Sequence, residues 1–340
     1  MTAADALFRC GFPYVKTLGM RRVTSAAVDV VPGSDGRVYV LVRAEIPIGG
    51  CCIRILNLED EDLGTIGETG SDDGQFSWPT KLLIDQDENL IVLDEALNRI
   101  TVMGKDGSFL YKWGHTGEKE GQLNRPSGMA FDKDNNLIIV DSFNHRVQKF
   151  TKNGDYISSW GQQGSGPGQF SYPWGVAVRE DNHVFVSDWK NNRIQHFTEE
   201  GIFVKEFGQD NKNEIGLNRP AGITIDQDGD VYVADRDNNR IAIFDANGRY
   251  VQKLLGDSQL SGMARQYVRT NPVVLRLREM SQLDDQKLFR FPVGVTVDNN
   301  GMLWIADYGS HRIQIYKKDA ERLQPHELEP PRNSPKLIIN

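Results

Sequence analysis

Eight side chains of this 340-residue chain are of types that bind ligands or transfer protons. The candidate ligand-binding residues are Arg43, Phe143, Trp174, Trp189, Arg236 and Tyr308, and the candidate catalytic residues are Glu45 and Glu95. Arginine forks pair with carboxylate or phosphate groups, and aromatic side chains anchor partners at binding surfaces. A carboxylate can act as a general acid or base. These residues can act together only if the fold brings them to one place.

A repeat in the sequence predicts such a fold. Pro-x-Gly, or a close variant, recurs with spacings of 47, 47, 47 and 72 residues, at Pro79, Pro126, Pro173, Pro220 and Pro292. An aspartate, an arginine and a glycine recur with it in the same order, at Asp94, Asp141, Asp188, Asp235 and Asp307; at Arg99, Arg146, Arg193, Arg240 and Arg312; and at Gly67, Gly114, Gly161, Gly208 and Gly256. Landmarks that share one period indicate a repeat architecture.

The apolar pattern inside each unit has a period of two residues. The segments "GVAVRE", "HVFVSD", "RIQHFT" and "IFVKEFG" read as four short strands separated by turns. Four antiparallel strands per repeat are typical of a propeller blade. Small residues on the first strand fit this interpretation, because inner strands converge on a narrow channel.

The predicted fold is all-β, a six-bladed β-propeller of four-stranded antiparallel blades. The last unit supplies only three strands, and "YVKTLG" near the N-terminus matches the outermost strand of other units, so we expect it to complete the last blade and close the ring. The predicted organisation is an N-terminal extension (1–12), the propeller (13–316) with an insertion (257–288) between blades 5 and 6, and a proline-rich tail (317–340).

The unit "GQLNRPSGMAFDKDNNLIIVDSFNHRVQKFTKNGDYISSWG" resembles an NHL repeat. The resemblance covers roughly residues 13–316 and is specific in five of the six units; blade 1 lacks Pro-x-Gly, and spacing alone identifies it. More distantly, the chain is similar to amidating-lyase and lactonase-type propellers. The resemblance implies either a recognition module, as in the NHL domains of RING-type ubiquitin ligases, or a stand-alone enzyme. No cysteine–histidine cluster for a RING domain is present.

We expect the functional residues to be those that depart from the repeat, because the residues that recur in every unit stabilise the fold. We therefore interpret the recurrent aspartates and arginines, with His145 and His311, as structural. Two variable places, the residue inside Pro-x-Gly and those after the closing aspartate, should face the same mouth of the ring and hold the eight candidates. The alternative is that some of these aromatic side chains only pack loop on loop.

The insertion is the largest departure. Its Leu275, Leu277 and Met280, with nearby arginines, predict one or two short helices packed over a mouth of the ring. Two interpretations stay open at this point: a solvated loop that covers the seam, or a lid over an anionic ligand.

Composition excludes several classes of function. The net charge of −8 argues against DNA and disfavours RNA, and no apolar run is long enough to span a membrane. Three cysteines and no secretory signal fit a cytoplasmic protein, expected to be a monomer. We predict no metal and no cofactor, because the zinc-binding histidines of the amidating lyases have no counterparts at the matching places.

The sequence therefore predicts a binding module that recognises a protein, RNA or anionic small ligand at one mouth. The alternative is a propeller enzyme, a lyase or hydrolase, acting on an anionic small molecule under the 257–288 lid.

Overall fold

The computed structural model describes residues 6–45, 49–209 and 215–323, and it confirms the six-bladed β-propeller. Each blade is a four-stranded antiparallel sheet. From the channel outward, blade 1 comprises β3 (Ala27–Pro32), β4 (Arg37–Arg43), β5 (Cys51–Asn57) and β6 (Asp62–Ile66). In the same direction, blade 2 comprises β9 (Pro79–Ile84), β10 (Leu90–Asp94), β11 (Arg99–Met103) and β12 (Phe109–Trp113). Blade 3 comprises β13 (Pro126–Phe131), β14 (Leu137–Asp141), β15 (Arg146–Phe150) and β16 (Tyr156–Trp160).

Blade 4 comprises β19 (Pro173–Val178), β20 (Val184–Asp188), β21 (Arg193–Phe197) and β22 (Phe203–Phe207). Blade 5 comprises β23 (Pro220–Ile225), β24 (Val231–Asp235), β25 (Arg240–Phe244) and β26 (Tyr250–Leu254). Short parallel pairs lie between blades, β7 (Glu68–Thr69) with β8 (Gln75–Phe76) and β17 (Gln162–Gln163) with β18 (Gln169–Phe170). Buried apolar clusters fill the spaces between neighbouring blades, so the core is divided around the ring.

Blade 6 closes the ring as predicted. It comprises β27 (Pro292–Val297), β28 (Met302–Asp307), β29 (Arg312–Lys317) and, from the other end of the chain, β2 (Tyr14–Leu18). Strand β2 pairs antiparallel with β29. Beyond the closure, β1 (Ala6–Gly11) and β30 (Asp319–Leu323) form a two-stranded ribbon. Part of the expected extension and part of the expected tail are thus paired with each other; residues 1–5 and 324–340 lie outside the described residues.

Glycine on the inner strands lets neighbouring blades approach closely. A Cβ atom on Gly175 would lie 2.4 Å from the carbonyl oxygen of Ala221 in the next blade, and three glycines in blades 3, 5 and 6 meet the same obstacle. Blades 1 and 2 depart from this rule. Their equivalent positions hold Asp29 and Lys81, whose carboxylate and ammonium groups pair at 2.9 Å in the channel.

The recurrent aspartate and arginine are structural, as blade 4 illustrates. The Asp188 carboxylate accepts hydrogen bonds from the Ser171 amide and from Arg193 Nε, both at 2.8 Å. Arg193 is 1% exposed and also donates to the backbone carbonyls of Gly166 and Gln169. The same aspartate–arginine ion pair forms in blades 3, 5 and 6. It therefore ties each of these blades to the loop that enters it.

The insertion, predicted to form one or two short helices, forms two, α1 (Gly262–Thr270) and α2 (Pro272–Glu279). The expectation that they pack over a mouth of the ring is wrong. The amide of Met263 donates to Asp60 in a turn of blade 1 at 2.7 Å, and Tyr267 lies under Arg22. The insertion therefore covers the outer side of the seam between blades 6 and 1.

The three apolar residues expected to pack the insertion onto the ring are exposed instead: Leu275 by 41%, Leu277 by 62% and Met280 by 78%. Within the described part of the chain, neither helix has the length and apolar character needed to cross a membrane.

Candidate binding surface at one mouth of the ring

Short 3₁₀ turns position the variable residues that follow the closing aspartates. These turns span Ser142–Asn144, Trp189–Asn191, Arg236–Asn238 and Tyr308–Ser310. A left-handed residue ends each turn and accepts a hydrogen bond from the next blade. For example, His145 Nδ1 accepts from the Tyr172 amide at 3.1 Å, and His311 Nδ1 accepts from the Ala26 amide at 2.9 Å. These two histidines are therefore inter-blade links, as expected from the sequence.

The residue that directly precedes each repeated proline lies against the variable turn of the preceding blade. We call these the pre-proline residues: Trp78, Arg125, Tyr172, Arg219 and Phe291. Five inter-blade contacts result. Three are guanidinium–ring contacts, measured from the guanidinium carbon to the ring centre: Arg43 with Trp78 at 4.2 Å, Arg219 with Trp189 at 4.9 Å, and Arg236 with Phe291 at 5.1 Å. The other two are a hydrogen bond from Arg125 Nη1 to Glu95 Oε1 at 3.5 Å and a ring contact between Phe143 and Tyr172, whose centres are 5.2 Å apart. These ten residues, with Trp174 and Tyr308, are the mouth ring. Sequence reasoning missed the pre-proline residues, although they recur with the same period as the prolines.

In the part of the chain that the structure describes, Arg43 lies at the one junction, between blades 6 and 1, where no large pre-proline residue contacts the variable turn. Blade 1 has Ala26 in the pre-proline place, so Tyr308 of blade 6 has no large partner there and contacts Arg43 instead, 5.8 Å from ring centre to guanidinium carbon. The guanidinium therefore lies between the rings of Tyr308 and Trp78. Its Nε and Nη1 atoms are buried and have no hydrogen-bond partner among the residues that the structure describes. Unpaired buried donors are costly, and the guanidinium fork suits a carboxylate or phosphate.

Glu95 is close to Arg43 and mostly buried, with 13% of its side chain exposed. Burial raises the pKa of its carboxyl group, and the nearby charges of Arg43 and Arg125 oppose that rise. Glu45, the other candidate carboxylate, is exposed at the end of β4. Within the described residues, no hydrogen bond or ion pair connects the Glu45 side chain with the mouth ring. The structure thus brings Glu95, but not Glu45, to Arg43.

The two tryptophans of blade 4 contact each other. The rings of Trp174 and Trp189 are 6.2 Å apart and inclined at 35°. Trp174 also lines the central channel, and its carbonyl accepts a hydrogen bond from Ser127. Trp189 lies under Arg219 on the other side. Both indoles are half-buried, so they connect the channel with the rim of the mouth.

The mouth is basic although the chain is acidic. The cations are Arg43, Arg125, Lys190, Arg219 and Arg236, and the acids beside them are Glu95 and Asp237. Phe143, Trp78 and Phe291 expose 41–49% of their surface between these charges. The arrangement can stack aromatic or apolar groups and neutralise an anion.

Among the described residues, one cluster of three carboxylates is spaced closely enough to hold a metal ion: Asp132, Asp134 and Glu199. The ammonium of Lys149 is 2.8 Å from Asp132 and 3.4 Å from Glu199. A lysine thus already supplies the positive charge that this group needs.

The profile of the NHL repeat matches residues 123–150, 170–197, 217–244 and 289–316. Blade 2 falls outside these matches; there Lys81 replaces the glycine, and Arg99 Nε has no hydrogen-bond partner within residues 6–45, 49–209 and 215–323. No curated protein sequence matches this chain significantly.

Solved structures show the same fold at low identity. A catalytically inactive variant of virginiamycin B lyase from Staphylococcus aureus, with quinupristin, is 16% identical over 91% of this chain and 88% of its own, with a TM-score of 0.55. The selenomethionine form of that lyase is 14% identical over 90% and 99% of the two chains, with a TM-score of 0.57. A protein of unknown function from Bacteroides thetaiotaomicron is 17% identical over 93% and 73%, with a TM-score of 0.59. This chain is therefore a six-bladed β-propeller that carries four NHL repeats, in blades 3, 4, 5 and 6.

Proposed function

We propose that the mouth ring is a recognition surface for an acidic segment of a partner protein, and that the chain acts as a binding module. The observation that carries this proposal is Arg43, which lies between two aromatic rings and whose buried Nε and Nη1 atoms have no hydrogen-bond partner in the described part of the chain. A carboxylate that accepts from one of these atoms together with Nη2 would supply a missing hydrogen bond. The exposed aromatic side chains beside it would contact the apolar part of the same segment.

The acidic character of the whole chain favours a peptide over a nucleic acid. A net charge of −8 repels a polyphosphate backbone at long range, whereas one or two carboxylates need only the local cations. All five cations contact a ring or an acid, and Arg43 is the specific contact because two of its buried donor atoms lack a hydrogen-bond partner among the described residues. The three free cysteines support the proposed cytoplasmic location.

Selection of random peptides displayed on phage tests this proposal. We expect wild-type protein to enrich peptides in which Asp or Glu lies next to an aromatic residue. Arg43→Gln should lower the affinity of those peptides about tenfold to a hundredfold, because a hydrogen bond to a charged group contributes about 1.5–3 kcal/mol. Fluorescence anisotropy of a selected peptide measures this loss.

Arg37→Gln is the matched control, because Arg37 lies at the other end of the same strand and pairs with Asp35. It should leave peptide affinity unchanged. If both variants lose peptide affinity equally, the peptides respond only to the net charge of the protein and not to Arg43. The proposal is also wrong if no acidic peptide is enriched, or if single-stranded RNA binds through Arg43 and peptides do not.

An enzyme is the second candidate, and Glu95 is the observation that favours it. A carboxyl group whose pKa is raised by burial, beside Arg43, could donate a proton to an anionic small molecule. The insertion is no part of such a site, because its contacts with blade 1 lie on the outer side of the seam. If a metabolite screen finds turnover, Glu95→Gln should abolish turnover and leave substrate binding intact.

A further inference from the structure

A second basic site lies outside the mouth ring, in the cleft between the insertion and blade 6. The segment that follows β2, the start of α1, the residues after α2 and the turn before Arg312 form its walls. The cleft has a volume of about 790 Å³. This space is large enough for a small molecule with several phosphate groups.

The lining of this cleft is strongly positive. Its ionisable residues are Arg21, Arg265, Arg278, Lys287, Arg312 and Asp284. Five cations thus face one carboxylate in a chain whose net charge is −8. Such a local excess of like charge is unfavourable unless an anion compensates it.

Two of the five cations are already paired. Arg312 Nε donates to Asp307 at 2.8 Å, and the ammonium of Lys287 is 2.8 Å from Asp284. They therefore contribute less to the attraction of a ligand than the cations without carboxylate partners.

Arg21, Arg265 and Arg278 form no ion pair with any residue that the structure describes. Arg278 Nη1 donates to the neutral side chain of Gln286 at 2.9 Å, and Arg265 Nη2 donates to the Leu260 carbonyl at 3.2 Å. Both guanidinium groups therefore keep further N–H donors for a ligand.

The first amide groups of α1 are not the anion-binding feature of the cleft. Asp60 accepts from the Met263 amide at 2.7 Å, and Ser261 caps the Ala264 amide at 3.2 Å. The three arginine side chains would have to supply the donors. Planar guanidinium forks bind the oxygens of phosphate groups bidentately.

We propose that this cleft binds clustered phosphate groups, with Arg21, Arg265 and Arg278 as the binding residues. The site is separate from the mouth ring and goes beyond the function proposed for it. Because the cleft is open and polar, the phosphates can belong to a free metabolite or to a lipid headgroup. The experiment distinguishes these two sources.

Isothermal titration calorimetry with inorganic triphosphate at about 0.15 M salt tests the site. We expect binding to the wild-type protein and an affinity at least about tenfold lower for Arg265→Gln/Arg278→Gln. The matched control is Arg269→Gln/Arg276→Gln, which removes two exposed arginines from the same helices outside the cleft lining. The control should change the affinity less than about twofold, because neither of its arginines lines the cleft and their longer-range attraction is screened at this salt concentration.

Sedimentation with phosphatidylinositol bisphosphate vesicles identifies the source of the phosphates. If the protein pellets with vesicles and free triphosphate releases it, the ligand is a lipid headgroup; if only free triphosphate binds, it is a soluble metabolite. Absence of binding in both assays overturns the proposal, as does equal loss in the cleft and control variants. Arg43→Gln should retain triphosphate binding, which separates this site from the mouth ring.

Discussion

Removal of Arg193 from blade 4 should be among the most damaging single substitutions in the scaffold. Its guanidinium is 1% exposed and is bonded to Asp188 and to backbone carbonyls of the loop that enters the blade. Arg193→Met would leave the Asp188 carboxylate buried without its cation. Breaking a buried ion pair on one side costs about 3–5 kcal/mol.

The expected loss is large enough to measure by thermal and urea unfolding. At roughly 2 °C per kcal/mol for a chain of this size, the melting temperature should fall by about 6–10 °C. Arg37→Met is the control, because Arg37 pairs with Asp35 on the surface of blade 1, where 43% and 37% of the two side chains are exposed. A surface pair contributes about 0–1 kcal/mol, so the control should melt within about 2 °C of the wild type.

A double variant tests the reason for the loss. Asp188→Asn/Arg193→Met removes the buried charge and keeps an oxygen to accept from the Ser171 amide, so it should recover part of the stability. If the single variant unfolds within about 1 kcal/mol of wild type, or if the double variant is no more stable than the single one, the ion pair does not support the blade as described.

Three further predictions concern the inner strands and a buried histidine. Gly175→Ala should destabilise the ring by about 1–3 kcal/mol in urea unfolding, because the new methyl group would lie 2.4 Å from the Ala221 carbonyl. Lys81→Met should cost about 3–5 kcal/mol at neutral pH, because it leaves Asp29 buried and unpaired. The pKa of His196 falls from 6.5 to about 4, mainly through burial. The unfolded chain therefore binds a proton at His196 more readily than the folded one. The stabilisation is complete above about pH 6.5 and is lost toward pH 4, and the free energy of unfolding should fall by about 2 kcal/mol between pH 7.5 and 5.

Each of these predictions has a control and a contrary outcome. Gly166→Ala should cost less than the inner-strand substitution, because its new methyl group meets only the flexible side chain of Gln169 at 3.1 Å. Asp29→Gly/Lys81→Gly, which restores the residue type of the other blades, should be more stable than Lys81→Met; an equal loss would contradict the ion-pair explanation. His196→Gln should abolish the pH dependence assigned to this residue, and an unchanged pH profile would assign it elsewhere.

Most of the fold could be predicted from the sequence because the blades repeat. Alternation with a period of two residues defines strands, and the shared 47-residue period places them in equivalent blades. Blade 1 could be recognised by spacing although it lacks Pro-x-Gly. Its Asp29 occupies the glycine register and pairs with Lys81 in the next blade. The loss of glycine in blade 1 is thus accompanied by a matching change in blade 2. Comparison of one repeat with another does not reveal such a pair, because its two residues lie in different repeats.

The candidate site was only partly predictable. The residues after the closing aspartates could be identified, because they vary at fixed positions in a repeating frame. Their pre-proline partners, such as Trp78 and Arg219, were missed because the contact crosses between blades and depends on how the ring stacks them. The position of the insertion was also missed. Its apolar residues suggested packing onto the ring, whereas Leu277 and Met280 are exposed.

The most direct test of the account is the location of an anion at Arg43. Crystals soaked in bromide should show an anomalous peak within hydrogen-bond distance of the Arg43 guanidinium, between Trp78 and Tyr308. That peak should vanish in Arg43→Gln while other bromide positions persist. If the wild-type crystals show no peak there, or if Arg43 is fully hydrogen-bonded to the protein, the mouth ring does not recognise anions through this residue.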